Sequence, residues 1–367
     1  MRENFILKNE ERAVFELRSL YKQYGYLPYK MSKFEEYDLY VRNKDFLVSD
    51  SVITFNDTNG RLLALKPDVT LSIIKNSGSD KEYKEKLYYN ENVYRISEST
   101  HQYKELMQTG IECIGDIDIN DIFEVVYLAA KSLDTISEDF VLDISHMGVF
   151  SSILDGILCD EIFKKEVTKL ISQKNRHETY ELCRKYSVSD DDTALLVDFI
   201  GLYGEPTSVI SRLEAMIKTD KGRKAYEELS ALCSLIDKTE FKGRIKLDFS
   251  VVNDMNYYNG IVFKGFLNGI SEGVLSGGEY GRLVRRMGKD NNAIGFAIYL
   301  DLLESLETES PEYDVDVLLI YDRKTEAQKL LAEKNKIIAS GKSVSCQLSV
   351  PEKLRYKELI KLSEDLK

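Results

Sequence analysis

The chain is poor in the residues that build disulfide frames and metal centres. Its 367 residues include no tryptophan, five prolines, five scattered cysteines and three histidines. An odd number of cysteines without paired spacing favours reduced thiols in a cytoplasmic protein over a disulfide framework or a zinc site. No histidine has a second His or Cys at ligand spacing, which argues against a catalytic metal, and we expect no cofactor. We interpret His146, at the end of a predicted strand (139–146), as structural.

Long apolar runs and an excess of basic residues are also missing. No run approaches the ~18 residues of a membrane span, and the N-terminal residues lack the apolar segment of a signal peptide. The net charge is −12, and because phosphate binding depends on clustered Lys and Arg, a nucleic-acid partner is not favoured. What is present, 43% hydrophobic and 31% charged residues, is typical of a globular chain.

Residues 87–115 carry the strongest local pattern, two strands joined by a polar turn. Aromatic and β-branched residues fill 87–96, the run 97–100 (SEST) predicts the turn, and 103–114 forms the second strand. Alternation divides the second strand between two faces. One face carries Lys104, Leu106, Gln108, Gly110 and Glu112, and the other carries Glu105, Met107, Thr109, Ile111 and Cys113. Gly110 would leave room for a ligand between an amide and a carboxylate, although an ordinary solvated hairpin has the same pattern.

This hairpin resembles motif 2 of the class II aminoacyl-tRNA synthetases, in its histidyl form. The resemblance is carried by Tyr94-Arg95 and by the run 108–112 (QTGIE). Three further matches follow in the family's order: 65–70 (LKPDVT), 256–260 (NYYNG), and 277–280 (GGEY) followed by 295–297 (GFA). These matches imply the class II fold, an α+β architecture in which helices flank a large antiparallel sheet.

The rest of the chain fits that architecture. Helical spacing dominates from residue 8 to 24 and again over about 150–240, where the family has a helical insertion, and 120–133 predicts a helix behind the hairpin. The run 293–303 matches a glycine-opened amphipathic helix of the family. The order strand, helix, strand, helix follows at 315–321, 325–339, 343–349 and 351–365. We therefore expect a synthetase-like core over 1–308 and a truncated anticodon-binding-like α/β domain over 312–367.

The resemblance also implies a histidine pocket. Asp68 and Thr70 match the acid and the threonine that bind the amino group of the amino acid, in a helix that Pro67 is expected to open. In the same positions, an acid and a threonine also serve as ordinary caps of a helix N-terminus. The full set of expected histidine-binding residues is Asp68, Thr70, Arg95, Gln108, Glu112, Tyr257 and Tyr258.

Residues that the family uses to activate the amino acid with ATP are replaced. Asn253 stands for the arginine at the reacting carboxylate, and Leu302 stands for the arginine that holds the ATP phosphates. Ser97 stands for the glutamate that recognises adenine. A neutral side chain cannot replace a guanidinium that stabilises developing charge. The resemblance therefore implies a pocket without a catalytic site.

A histidine pocket of this kind resembles the regulatory subunits of ATP phosphoribosyltransferase more closely than a working synthetase. That family implies a non-catalytic subunit that a short-form catalytic subunit requires, with histidine as feedback inhibitor. It also implies a homodimer within a hetero-oligomer, although Ser32 stands where motif 1 has the proline that helps to form the dimer. Two alternatives stay open: a paralogue that senses histidine or tRNA, and a divergent active histidyl-tRNA synthetase, which would need substitutes for the lost arginines.

Overall fold

The structure is a computed structural model that describes residues 8–44, 52–78, 83–96, 100–157, 159–251, 257–306 and 312–362. Contacts divide the chain into two units, Met1–Leu306 and Glu307–Lys367. The larger unit opens with a helix in which Glu11 accepts the backbone N–H of Lys8 at 2.9 Å, and the helix ends before Gly25, whose φ is +82°. Its elements up to the hairpin are α1 (Asn9–Gln23), β1 (Leu27–Pro28), β2 (Phe34–Glu36), α2 (Tyr37–Arg42), β3 (Thr54–Asn56), β4 (Leu62–Leu65), α3 (Thr70–Asn76), β5 (Glu85–Ile96) and β6 (Tyr103–Gly115).

After the hairpin the chain is mainly helical up to residue 236. Side-chain caps open several of these helices; Asp118 accepts from two backbone N–H groups at the start of α4, and Asp160 accepts from one at the start of α6. The elements are α4 (Ile119–Ile136), β7 (Phe140–His146), α5 (Met147–Asp155), α6 (Glu161–Ser172), α7 (Arg176–Lys185), α8 (Asp190–Ile200), β8 (Tyr203–Gly204), α9 (Pro206–Leu213) and α10 (Asp220–Ile236). The larger unit closes with β9 (Ile245–Asp248), β10 (Ile261–Leu267), β11 (Leu275–Glu279), α11 (Gly281–Arg286), β12 (Asn292–Tyr299) and a 3₁₀ turn (Leu300–Ser305).

The large sheet is mainly antiparallel, as the resemblance predicted. Within the described residues it has nine strands in the order β1-β5-β6-β12-β11-β10-β7-β9-β8. Only the pairs β1–β5 and β7–β9 are parallel among them. The predicted hairpin is confirmed, because β5 and β6 pair without interruption from Glu85–Ile114 to Ile96–Tyr103. Its predicted turn includes residues 97–99, which lie outside the described residues.

Each face of this sheet packs against a separate core. Ile111 and Cys113 of β6 belong to the larger core, together with residues of α1, α4, α5 and α10. Leu106 and Ile114 belong to the smaller core, together with residues of α3 and α11. The alternation predicted for the second strand is therefore confirmed, and Gln108 and Glu112 lie on the face of the smaller core. Among the described residues no helix is long and apolar enough to cross a membrane.

The helix predicted for residues 293–303 is wrong. Residues Asn292–Tyr299 form β12, which pairs with β6 on one side and β11 on the other, and the 3₁₀ turn follows. Most residues of β12 are buried because cores lie on both faces of the strand. A short, continuous apolar run of this kind does not distinguish a central strand from a buried helix.

The smaller unit contains one helix and a three-stranded parallel sheet within its described residues. Its elements are β13 (Val315–Ile320), α12 (Ala327–Ala339), β14 (Val344–Gln347) and β15 (Tyr356–Lys361), and the strand order is β14-β13-β15. The helix predicted for 351–365 is wrong, since β15 pairs with β13. This pairing satisfies the backbone N–H and C=O groups along the edge of β13 opposite β14. Ile360 and Leu362 pack together against the core of this unit, which is the two-residue period of a strand.

Candidate functional site

The acid and threonine of the 65–70 motif lie buried at the start of α3. Pro67 does not open this helix as predicted; α3 begins at Thr70, and Pro67 instead accepts a hydrogen bond from Arg95 Nε at 3.1 Å through its carbonyl oxygen. Asp68 Oδ1 accepts the backbone N–H of Leu71 at 3.0 Å. Burial raises the pKa of Asp68, while the Leu71 N–H and the charge of Arg95 act in the opposite direction.

Glu112 is contacted by residues from three other segments of the pocket. Its carboxyl is 2% exposed and accepts two hydroxyl hydrogen bonds, from Thr70 Oγ1 to Oε1 at 2.9 Å and from Tyr280 Oη to Oε2. Gly295 of β12 lies directly against it, since a Cβ at that position would be 1.8 Å from Oε2. Burial raises the pKa of Glu112 to about 8, and the negative charge of Asp68 adds to this although both hydroxyl bonds lower it.

Gln108 and Gly110 share the face of Glu112, but the space beside the glycine is filled. Gln108 is 3% exposed and lies between Glu91 of β5 and Tyr299 of β12 in the strand registers. The room predicted beside Gly110 is taken by the ring of Tyr89 on the neighbouring strand, whose hydroxyl would be 2.6 Å from a Cβ there. The glycine thus admits a tyrosine ring between Gln108 and Glu112, and the prediction of open space for a ligand there is wrong.

Two adjacent tyrosines form the aromatic wall of the pocket. They precede β10, which begins at Ile261, and the ring centroids of Tyr257 and Tyr258 are 4.6 Å apart. Tyr257 also lies 6.0 Å from the ring of Tyr280. Burial raises the pKa of both residues far above the ordinary value, and the negative charges of Asp68 and Glu112 contribute. The wall and the two acids therefore belong to one cluster.

Tyr280 is a pocket residue that the sequence did not assign. It was part of the matched run 277–280, but nothing in that run indicates that its hydroxyl reaches a carboxyl 168 residues earlier in the chain. Its backbone is fixed by a hydrogen bond from its N–H to the carbonyl oxygen of Ala293 at 2.9 Å. The tyrosine after the paired glycines was the only available signal.

The replaced activation residues fall into two groups. Leu302 lies in the 3₁₀ turn and packs against the larger apolar core, where an apolar side chain needs no hydrogen-bond partner. The neighbouring Asp301 accepts the backbone N–H of Met107 at 3.1 Å. Ser97 and Asn253 lie outside the described residues. Where the structure describes the replaced positions, Leu302 therefore offers no cation for phosphate oxygens.

The cluster suits a small cation with a flat apolar part. The described pocket residues include two buried carboxyl groups, Asp68 and Glu112, and one guanidinium, that of Arg95, whose charge acts on Asp68. An incoming positive charge would favour the ionised form of Glu112 and lower its pKa. Tyrosine faces attract cations and also cover apolar rings, so the wall at Tyr257 and Tyr258 can cover such a ligand.

We expect Tyr280→Phe to raise the pKa of Glu112 further above its value of about 8. The variant keeps the ring but removes a hydroxyl that donates to the carboxylate, and the free energy of unfolding should fall by about 1–2 kcal/mol. Urea denaturation between pH 6 and 10 measures both effects. Tyr103→Phe, at a residue that is 74% exposed, is the control; equal profiles for the two variants would contradict the assignment.

Comparisons with known proteins identify the family of the chain. The family model of histidyl-tRNA synthetase matches residues 6–303. The ATP phosphoribosyltransferase regulatory subunit of Clostridium kluyveri is 30% identical, over 84% of this chain and 81% of its own. That of Acetivibrio thermocellus is 28% identical, over 87% of this chain and 78% of its own.

Solved structures share the fold. An ATP phosphoribosyltransferase regulatory subunit/histidyl-tRNA synthetase from Bacillus halodurans superimposes with a TM-score of 0.80 at 24% identity, covering 96% of this chain and 93% of its own. A chain of the ATP phosphoribosyl transferase (HisG:HisZ) complex from Thermotoga maritima has a TM-score of 0.63 at 20% identity, covering 79% and 97%. The fold and the family model define a class II synthetase-like protein of the histidyl type. The chain belongs to the ATP phosphoribosyltransferase regulatory subunits, the synthetase-like paralogues within that group.

Proposed function

We propose that this chain is a non-catalytic regulatory subunit of ATP phosphoribosyltransferase that binds histidine in the pocket at Glu112. It acts in the first step of histidine biosynthesis, in the cytoplasm, and carries feedback inhibition by histidine. The observation that supports this most is the buried carboxyl of Glu112, held by Thr70 and Tyr280 beside a second acid and an aromatic wall.

The chemistry of histidine matches that arrangement. Its ammonium group and imidazole can each meet one of the two acids, Asp68 and Glu112, and the imidazole ring can lie against the tyrosine wall. Arg95, which is hydrogen-bonded to the Pro67 carbonyl oxygen, would stand near the carboxylate of the amino acid. Thr70, Gln108, Tyr257 and Tyr258 complete the proposed set. Leu302 supports a binding role without adenylation, because no guanidinium is present there for ATP phosphates.

The partner would be a short-form ATP phosphoribosyltransferase catalytic subunit. The relative from Thermotoga maritima is described as a complex of two kinds of subunit, and we propose the same kind of hetero-oligomer here, with this chain as a homodimer within it. A ligand shifts such an assembly only by its different affinity for the active and inactive states. Histidine would therefore have to bind the inactive complex more tightly.

Reconstitution tests this proposal. The chain is mixed with a short-form catalytic subunit, and the condensation of ATP with phosphoribosyl pyrophosphate is measured with and without histidine, alongside calorimetric titration with histidine. We expect the mixture to gain activity and histidine to suppress it. An unchanged rate together with histidine-dependent pyrophosphate exchange into ATP would instead identify a synthetase. Histidine binding with neither activity would favour a sensor paralogue.

A further inference from the structure

At the end of β11, two consecutive residues face opposite sides of the sheet, one towards the pocket and the other away from it. Gly278 and Glu279 are neighbours on a strand, so they face opposite sides. The ring of Tyr258 packs on Gly278, where a Cβ would lie 2.7 Å from ring atom Cδ1. Glu279 therefore points away from the pocket and towards Glu228 of α10, and a role for it in the pocket has to act through the backbone.

Glu279 holds the segment that leads from the tyrosine wall into β10. Its Oε2 accepts the backbone N–H of Ile261 at 2.6 Å, and its own carbonyl oxygen accepts the N–H of Asn259 at 3.0 Å. Between them lies Gly260, where a Cβ would be 2.0 Å from Oε2, so the carboxyl packs directly on the chain. The Gly260 carbonyl oxygen accepts the N–H of Met147 at 2.8 Å. The backbone just after Tyr258 is thus fixed on both sides.

A second carboxyl holds Glu279 in this position. Glu228 of α10 is its side-chain hydrogen-bond partner, and burial together with the charge of Glu228 raises the pKa of Glu279. Two carboxyl groups in contact cannot both ionise at low cost, so one proton is shared and resides mainly on Glu279. His146 Nδ1 accepts the N–H of Gly148 at 2.9 Å, which leaves Nε2 towards Glu228 Oε1 at 3.7 Å. That contact lowers the pKa of Glu228.

We propose that Glu279 is a positioning residue of the ligand pocket: its side chain, in contact with Glu228, fixes the backbone that carries Tyr257 and Tyr258. The inference deepens the proposed function and rests on it for the ligand. It connects the aromatic wall of the pocket to helix α10 through two carboxyl groups on the far side of the sheet. None of these groups touches the ligand.

Three variants test the proposal by calorimetric titration with histidine. Glu279→Gln keeps an acceptor for the Ile261 N–H and a donor for Glu228, so we expect an affinity within about twofold of the original at pH 7. Glu279→Ala loses both, and its affinity should fall at least about tenfold. Glu228→Ala should give an intermediate loss. The exposed Glu272→Ala and Glu227→Ala are the matched controls and should leave the affinity unchanged.

The pH dependence of histidine affinity distinguishes two roles for Glu279, one that requires a neutral carboxyl group and one that requires only its shape. As the pH rises from 7 to 9, Glu279, whose pKa is raised to about 8, ionises beside the charged Glu228, whereas the amide of the Glu279→Gln variant stays neutral. The dissociation constant of the original protein divided by that of Glu279→Gln should therefore rise by about threefold or more between pH 7 and pH 9. Glu112 titrates in both proteins and cancels in this ratio. A ratio that stays constant with pH would overturn the proposal, as would a Glu279→Gln variant as weak as Glu279→Ala.

Hydrogen exchange of the segment 257–265 provides a readout without ligand. Glu279→Ala should speed exchange of this segment, and Glu279→Gln should not. If the original protein fails to bind histidine, the proposed function fails while this comparison still decides the role of Glu279. Unchanged exchange and affinity in Glu279→Ala would overturn the positioning role, and unchanged affinity in Glu228→Ala would overturn the link to α10.

Discussion

Glu112→Gln should strongly weaken histidine binding and at the same time make the free protein more stable. The side chain keeps its shape and a hydrogen-bonding group for Thr70 and Tyr280, but it can no longer carry the charge that balances a cationic ligand. Removing one partner of a buried, hydrogen-bonded charge pair costs about 2–5 kcal/mol, so the affinity should fall at least ~30-fold and as much as several thousand-fold. Calorimetric titration at pH 7 measures this loss.

The gain in stability follows from the raised pKa of Glu112. The carboxyl ionises near 4.5 in the unfolded chain but only at about 8 in the folded one. Between these values the unfolded state gives up a proton that the native state retains, so the free energy of unfolding falls as the pH rises from 4.5 to 8. Gln removes this loss, which amounts to up to about 3 kcal/mol at pH 7.

Urea denaturation at pH 5 and pH 8 measures the difference. We expect Glu112→Gln and the original protein to be nearly equal at pH 5 and the variant to be more stable at pH 8. Glu105→Gln, an exposed position on the same strand, makes the same change of charge and should alter neither quantity. Identical pH profiles for Glu112→Gln and the original protein would show that Glu112 is ionised at neutral pH, and undiminished histidine affinity would place the ligand elsewhere.

The sequence was sufficient to predict those features of the site that depend on the local periodicity of the chain. Gln108 and Glu112 lie on one face because side chains on a strand alternate, and the structure has them there. Asp68 and Thr70 were expected near a helix start, which is where α3 begins. In each case the relevant neighbours lie within a few residues, and local pattern is enough to predict them.

Features that depend on distant contacts were not predictable from the pattern. Tyr89 fills the space beside Gly110 from the neighbouring strand, and Tyr280 reaches Glu112 from a strand end far along the chain. Both β12 and β15 were expected to be helices. They form strands because tertiary pairing overrides local preference: β12 pairs with β6 and β11, and β15 pairs along the free edge of β13. The chemistry of Glu112 needs these contacts, since burial is the main cause of its raised pKa.

Lys66→Met should destabilise the larger unit by about 3–5 kcal/mol. The Lys66 ammonium lies 2.5 Å from Glu91 Oε2, and the two side chains are only 1% and 15% exposed. The lysine also joins the small antiparallel sheet β2-β4-β3 to the large one, since its N–H donates to the Lys33 carbonyl oxygen at 3.1 Å and its carbonyl oxygen accepts from Tyr94 at 2.9 Å. Met fills a similar volume and leaves these backbone bonds in place. The loss therefore reports mainly the Glu91 carboxylate, which keeps the Met31 backbone N–H at 3.4 Å but stays buried without its ammonium partner.

A double variant distinguishes an unpaired charge from lost packing. Lys66→Met with Glu91→Met removes both charges, and replacing a buried ion pair with apolar residues of similar volume is often neutral, so most of the lost stability should return. Lys242→Met is the control: its ammonium lies 2.6 Å from Asp237, but the two side chains are 51% and 36% exposed. Water screens such a pair, so this variant should lose little stability. Urea denaturation of the original protein, Lys66→Met, Glu91→Met and the double variant gives the coupling energy of the pair. A double variant no more stable than Lys66→Met would show that the lysine acts through its packing at the junction of the two sheets, and the pocket helix that follows it would then depend on shape rather than on charge.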